Sequence, residues 1–408
     1  MKLAAPIVAL FVWSITCWGQ ATPPAPPAQT APPPWYQRIS LRGYTQFRYS
    51  NVVAQNDLTP PLEIPADRSV NSNESLMIRR GRFVFSGDVT NRLSLYAQLD
   101  FNGSTGAADF SLQMRDLYAD IFLDSQKEFR FRFGQSKVPF GWSNLQSSQN
   151  RAPLERPDGL NSAAEGERDF GAYFMWAPTA SRQHFRDIVS QGLKGSGDYG
   201  VVAAGVYSGQ GPNRSDQNGE PHVVVRWSQP FKTANGRFFE LGIQGHHGRF
   251  VTPTQAIGTR PAPTIDSDGV TDQRVGFTAI WYPQPIGVEV EWNVGKGPEL
   301  SDDMRRIESG TLHGGYAQLN YRHSRPNSQA VFFPFARWHF LEGGRKFARN
   351  APRSRVNELD LGFEVAPWTE VEVTAIYTRT FQRTRTGSFP YDMTRNANRL
   401  GLQVQWNY

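Results

Sequence analysis

Arginine gives the first chemical suggestion in this sequence: of 43 basic residues, 36 are arginine and 7 are lysine. A guanidinium stays charged and presents a rigid fork of donors that fits carboxylate and phosphate oxygens. The chemistry it favours is the holding of oxyanions, although a compositional bias of the genome would produce the same excess. Bond-making chemistry has less to stand on. His246-His247, His313, His323 and His339 have no nucleophile motif near them and no Gly-x-Ser-x-Gly occurs, so a Ser-His hydrolase is not expected. The His246-His247 pair, at a strand end, reads as a polar rim in preference to an adventitious metal site. The single cysteine, Cys17, lies in a leader segment. Without it the mature chain has no thiol chemistry, no Cys-ligated metal and no disulfide. No enzyme activity, metal or cofactor is expected.

The elements that must position these arginines follow from length and patterning. A chain of 408 residues fits two or three soluble domains, or one closed barrel of about sixteen strands. Mean hydropathy is −0.51 while aromatics make up 13%, polar on average yet rich in Phe, Trp and Tyr. A membrane-spanning helix needs about 18 apolar residues. The long apolar run here, Leu3 to Trp13, is too short to span and sits at the N-terminus. Lys2, the apolar stretch Leu3 to Ile15 and the small-x-small Gly19-Gln20-Ala21 form the three parts of a secretory signal, so residues 1–21 are expected to be a signal peptide. A lipobox would need Leu and a small residue where Ser14 and Thr16 stand, which argues against a lipoprotein. Residues 22–38, beginning with a Pro-rich low-complexity run, are expected to form a periplasmic tether before a barrel over 39–408. After the signal is removed, 42 basic residues face 37 acids.

From Ile39 onward apolar and polar residues alternate in segments of about ten, the period-two signature of a transmembrane strand. Phe129, Phe131 and Phe133 share one face against Arg130 and Arg132; Leu400, Leu402, Val404, Trp406 and Tyr408 oppose Arg399, Gln403, Gln405 and Asn407. The apolar faces suit lipid and the polar faces a wet lumen. Sixteen such segments lie near 39–50, 75–87, 92–101, 112–123, 128–136, 168–177, 198–208, 221–229, 237–248, 271–282, 287–294, 311–323, 329–340, 355–365, 370–379 and 397–408. Connections after odd strands are mostly long and those after even strands mostly short, as in an up-and-down barrel. The exception, 178–197, is long where a turn is expected, so strand placement is least secure there. A soluble propeller would show a blade repeat, which is absent, and an exposed apolar face on nearly every strand favours the bilayer. A plugged transporter would need about 22 strands.

The run Arg79-Arg80-Gly81-Arg82-Phe83-Val84-Phe85-Ser86-Gly87, then Arg115-Asp116-Leu117-Tyr118, Gly134-Gln135-Ser136-Lys137-Val138-Pro139-Phe140, Ser147-Ser148 and Leu154-Glu155-Arg156 resembles the phosphate-selective porin O and P family in order and spacing. The match is specific over about 75–180 and architectural beyond it. The resemblance implies a 16-stranded trimeric channel whose third loop, here 137–167, folds into the pore as a constriction of Arg, Lys and Ser donors. It carries over Arg79, Arg80 and Arg82 as the arginine-rich strand, Asp116 as a pore-lining carboxylate, and Ser147, Ser148 and Arg156 as loop residues. A constriction lysine would fall near Asn144, which is neutral; Lys137 keeps its motif place before the Pro, where it also fits as an anchor for the start of the loop.

Alternation independently puts Arg42, Arg48, Arg80, Arg82, Arg92, Arg130, Arg132, Arg226, Arg274, Arg322 and Arg399 on lumen faces. It also puts Asp100, Asp116, Asp120, Glu240, Glu289, Glu291, Glu358, Asp360, Glu364 and Glu372 there, so the wall has mixed sign and cross-strand pairing neutralises part of it. Arg79 shares the face of Phe83 and Phe85, which predicts an outer-rim position. The sequence thus predicts an all-β outer-membrane barrel of the Gram-negative type, with Arg80, Arg82, Arg130, Arg132, Asp116, Ser147, Ser148, Arg156 and Lys137 as its anion-binding or pore-lining set. Its partners would be small anions, phosphate or polyphosphate by the resemblance, together with outer-membrane lipid or lipopolysaccharide and two further copies in a homotrimer; no nucleic acid is expected. A general porin without phosphate preference and a structural or adhesive barrel without conductance remain open.

Overall fold

The computed structural model describes residues 34–55, 75–102, 111–324, 328–385 and 393–408. The expected signal peptide, 1–21, and most of the expected tether, 22–38, lie outside the described residues. Before the first strand, Trp35–Arg38 make a 3₁₀ turn, and the Arg38 guanidinium donates to Val89 O at 2.8 Å.

Period-two sequence becomes sixteen antiparallel strands among the described residues, each within a few residues of its expected place. They are β1 (Ser40–Gln55), β2 (Ser75–Thr90), β3 (Leu93–Asn102), β4 (Ser111–Phe122), β5 (Phe129–Lys137), β6 (Arg168–Trp176), β7 (Val202–Tyr207), β8 (His222–Lys232), β9 (Phe238–Phe250), β10 (Val270–Trp281), β11 (Ile286–Leu300), β12 (Ile307–Tyr321), β13 (Val331–Gly344), β14 (Arg353–Trp368), β15 (Val371–Thr384) and β16 (Met393–Asn407). Each pairs with its sequence neighbours, and β16 returns to β1 in the register Tyr44↔Asn407. Tyr408 completes the closure: Gly43 N–H donates to Tyr408 O at 2.6 Å, and Tyr408 N–H to Gly43 O at 3.0 Å. A closed ladder leaves no open edge, which is what lipid demands of a backbone with no water to bond.

The two faces separate as the alternation requires. Phe129, Phe131 and Phe133 are exposed between buried Arg130 and Arg132, and Leu400, Leu402 and Trp406 are exposed beside buried Arg399, Gln403 and Gln405. What is buried is therefore the lumen, which holds much of the chain's charge. Acids and arginines there pair directly across the ladder: Arg82 opposite Asp100, Arg132 opposite Asp120 and Arg337 opposite Asp360 are register partners and ion pairs at 2.9, 2.7 and 2.6 Å. Arg92 departs from its expected strand position, since β3 starts at Leu93 and leaves it in the turn before.

Two β-bulges change the predicted faces. Gln46 pairs with Arg80 but Phe47 with Ile78, so Arg79 is an extra residue in β2; Gln98 pairs with Asp116 but Leu99 with Met114, so Arg115 is extra in β4. A bulge flips the face of every residue beyond it. Arg79 is accordingly turned inward and buried, not at the outer rim, and Arg115 joins Asp116 inside.

The long connection between β6 and β7 contains a helix, Thr179–Ser190, entered after Pro178 and burying Ser181, Phe185 and Ile188 along one face. The residues after it run inward to β7, which starts at Val202 and not near 198.

Candidate functional site

Residues 138–167 leave β5 and fold into the lumen. Val138, Phe140, Leu160, Ala163 and Ala164 pack in one cluster with Tyr173, Met175, Ala203, Tyr207 and Val224 from β6–β8 and with Tyr316 from β12. The far wall holds the loop by polar contacts. Glu291 accepts from the backbone N–H groups of Trp142 (2.6 Å) and Ser143 (2.7 Å), while Asn293 donates to Gly159 O (2.8 Å) and Arg337 to Glu155 O (2.7 Å). At Gly159 the backbone lies against β12 so closely that a Cβ would sit 2.5 Å from Gly315 N, which keeps this position glycine.

The loop's carboxylates meet the bulged arginines. Glu155 accepts from Arg48 (2.8 Å), Arg79 (2.9 Å) and Arg80 (2.7 Å), with Arg151 3.8 Å away. Burial opposes its ionisation, but the guanidiniums of Arg79, Arg80, Arg48 and Arg151 hold its carboxyl well below the usual range. Glu167 behaves alike: burial raises it, and Arg156, Arg168, Arg115 and Lys137 bring it far down. Arg115 donates to Gly166 O at 2.7 Å, and Arg168 forks onto Asp116 at 3.0 and 3.2 Å. Between loop and wall remains a polar cavity of about 50 Å³, lined by Arg79, Arg80, Arg82, Arg115 and Arg156 and by Asp100, Glu155, Glu165 and Glu167.

The expected site residues divide into three groups. Arg80, Arg82 and Arg156 border the cavity. Ser148 Oγ lies 3.5 Å from Arg82 and 3.4 Å from Arg156, and Asp116 stands behind on Arg168. A second group ties the loop to itself. Lys137 donates to Leu145 O (2.7 Å) and Gln146 O (3.0 Å), and Arg156 spends Nε on Ser143 O (3.0 Å), Nη2 on Gln146 O (2.6 Å) and Nη1 on Glu167 (2.8 Å). Asn144, in place of a family lysine, bonds Phe140 O and Leu160 O, and Ser147 Oγ accepts from Gln149 N–H. Arg130 and Arg132 lie apart, near the start of β5: Arg132 forks onto Asp120 and stacks 3.8 Å over Tyr118, while Arg130 reaches Asp198.

Sequence reasoning missed the insert between β6 and β7. Lys194 donates to Glu364 Oε1 at 2.5 Å on the strand wall opposite its own, and its carbonyl accepts from Gln146 of the loop. Ile188 and Leu193 pack with Trp142, Phe238, Ile280 and Tyr282. Inserts from the two ends therefore meet inside the barrel. The i, i+4, i+7 spacing of Ser181, Phe185 and Ile188 behind Pro178 was the available signal.

A closed sixteen-strand barrel with a lipid-facing apolar surface, a charged lumen and an inward-folded loop is an outer-membrane porin. The sequence profile described as phosphate-selective porin O and P matches residues 62–331. The chain belongs to that family, which places it in a Gram-negative outer membrane, and the match extends well beyond the 75–180 region that carried the resemblance. No curated protein matches the sequence. Solved structures share the fold at low identity. Salmonella typhi OmpF has 9% identity and a TM-score of 0.55 over 91% of this chain and 97% of its own. The trimer form of Vibrio cholerae OmpT has 10% and 0.54 over 91% and 99%. The outer membrane channel DcaP of Acinetobacter baumannii has 14% and 0.53 over 91% and 97%.

Proposed function

We propose that the protein lets small anions, phosphate or polyphosphate among them, diffuse passively through the gap between the inserted loop and the β2–β4 wall. The observation that carries this reading is the pair of bulges. They turn Arg79 and Arg115 inward beside Arg80 and Arg82 and raise the arginines at one gap to five with Arg156, against four acids. Selectivity would come from guanidinium and hydroxyl donors replacing part of an anion's hydration. Membership of a phosphate-selective family supports phosphate as the substrate. The trimer form of OmpT and the exposed apolar belt support a homotrimer embedded in outer-membrane lipid. Export by the 1–21 signal and a periplasmic role for the 22–38 tether belong to the same proposal.

A general porin is favoured by a different observation: the arginines at the gap are already engaged by carboxylates or carbonyls. Reversal potentials of the purified protein in a planar bilayer under a KCl gradient, followed by phosphate addition, separate the readings. Anion preference with saturable phosphate block of the chloride current supports the proposal. Anion preference without block indicates a general porin, and absence of conductance a structural barrel.

A further inference from the structure

We propose that His222, His246 and Asp272 form a binding site for a transition-metal dication of the zinc class on the lumen wall. They face inward from β8, β9 and β10, three adjacent strands, and their exposures are 0%, 5% and 0%. One donor atom from each lies within 4.8 Å of the other two. His222 Nδ1 is 4.0 Å from Asp272 Oδ2. That is too long for a hydrogen bond. Two ligands of one tetrahedral ion, each about 2.1 Å from it, sit roughly 3.4 Å apart, so a small inward shift closes the site.

The second layer is already built around His222. Its Nε2 lies 3.0 Å from Arg249 O. A carbonyl only accepts, so Nε2 carries a proton, and in the neutral ring Nδ1 then presents a bare lone pair, the arrangement found behind metal-binding histidines. The ring is clamped between two glycines: a Cβ at Gly209 would come within 2.3 Å of it and one at Gly248 within 2.2 Å. His222 Nδ1, both ring nitrogens of His246 and Asp272 Oδ1 are buried without a hydrogen-bond partner. A metal ion held by Asp272 Oδ2 would give His222 Nδ1 and one nitrogen of His246 the partner that each lacks. Phe140 of the inserted loop meets the His246 ring edge-on at 4.9 Å and 88°, which fixes its orientation.

Two histidines with one carboxylate favour zinc, cobalt, nickel or copper over calcium or magnesium, which prefer all-oxygen sites. His247, its neighbour in sequence, points to the outer face and bonds Gln273. A resident cation competes for the carboxylate: Lys346 donates to Asp272 Oδ2 and to Ala163 O of the inserted loop at 2.7 Å. Arg274, opposite His246 in register, is directed to Ser162 of the same loop. An ion at the site must therefore draw Asp272 away from Lys346, which connects occupancy to the anchoring of the loop.

The test uses the full chain in detergent, stripped with a chelator and titrated with cobalt(II) by visible absorption and with zinc by calorimetry. One ion per chain with a tetrahedral cobalt spectrum is expected. His246→Ala and Asp272→Asn should weaken binding by about tenfold or more, and His247→Ala should leave it unchanged. Lys346→Met should tighten it, an effect that adventitious surface binding would not show. If His222→Ala fails to give a heat-modifiable barrel, His246→Gln keeps the polar volume and decides the matter. Absence of stoichiometric binding in the wild type, or binding lost with His247 and retained without His246, overturns the site.

Discussion

Replacing Glu155 by glutamine should make the pore more anion-selective and its loop looser at once. Around the gap five arginines face four acids, so the substitution raises an excess of one positive charge to two. A unit charge acts on an ion about 8 Å away with roughly 2 kcal/mol at an effective dielectric of about 20. Screening over a Debye length of about 8 Å leaves on the order of 0.8 kcal/mol. Anions are then enriched and cations depleted by about fourfold each, and the permeability ratio rises on the order of tenfold. The same change removes the carboxylate shared by Arg48, Arg79 and Arg80. Breaking a buried pair costs about 3–5 kcal/mol, part of which the glutamine carbonyl recovers. The pH dependence has a definite sign. Glu155 has its folded-state pKa depressed, so its contribution is fully present above the unfolded value of about 4.3 and is lost only as pH falls through a folded value well below that. The attachment of the loop through Glu155 should hold through neutral and mildly acidic pH and release in strong acid, so wild-type conductance should change only there, whereas the variant should show no such change. Reversal potentials and single-channel conductance of both proteins measure these effects. An unchanged permeability ratio with unchanged conductance would refute a place for Glu155 at the conduction path.

Arg156→Ala should weaken anion preference several-fold without unfolding the barrel, whose stability lies in the strand ladder; identical reversal potentials would reduce Arg156 to the loop staple that its bonds to Ser143, Gln146 and Glu167 also make it. Deleting 143–162 should enlarge conductance, because Ser143 and Gly159 in this stretch reach across the lumen to Glu291 and Asn293, and an unchanged conductance would place the loop outside the current path. Lys194→Met should free the insert between β6 and β7 from Glu364, raising conductance and opening 191–198 to protease; insensitivity of both would show that the contact holds nothing.

The barrel was legible because its signal is local. A strand such as Phe129–Lys137 alternates residue by residue, and the difference between outer loops and inner turns repeats around the ring. What was not legible depends on one-residue events or on register. No feature of Ile78-Arg79-Arg80 distinguishes a bulge from a regular strand, so strict alternation sent Arg79 to the wrong face. His246 was read with its sequence neighbour His247, although its partners in space are His222 and Asp272, one strand away on each side. The helix after Pro178 is hidden in the sequence because it occupies a connection where the strand alternation calls for a turn, and its buried apolar positions, Phe185 and Ile188, are only two.

If the gap passes anions as proposed, the pairing of each of its five arginines with an acid limits how tightly it holds them. At about 4 Å and an effective dielectric of about 20, one guanidinium attracts a monovalent anion by roughly 4 kcal/mol before desolvation. Five unopposed guanidiniums would supply on the order of 20 kcal/mol, at the limit reached by the tightest non-covalent complexes. An ion so bound would block the channel, since conduction needs binding that is weak enough to reverse. With four carboxylates opposing them, the residual attraction falls to the scale of a single charge. The carboxylates also hold the guanidiniums in fixed orientations, so an anion meets preset donors at the gap. On this argument Glu155 and Glu167 limit how tightly the site holds an anion, and the arginines determine its sign.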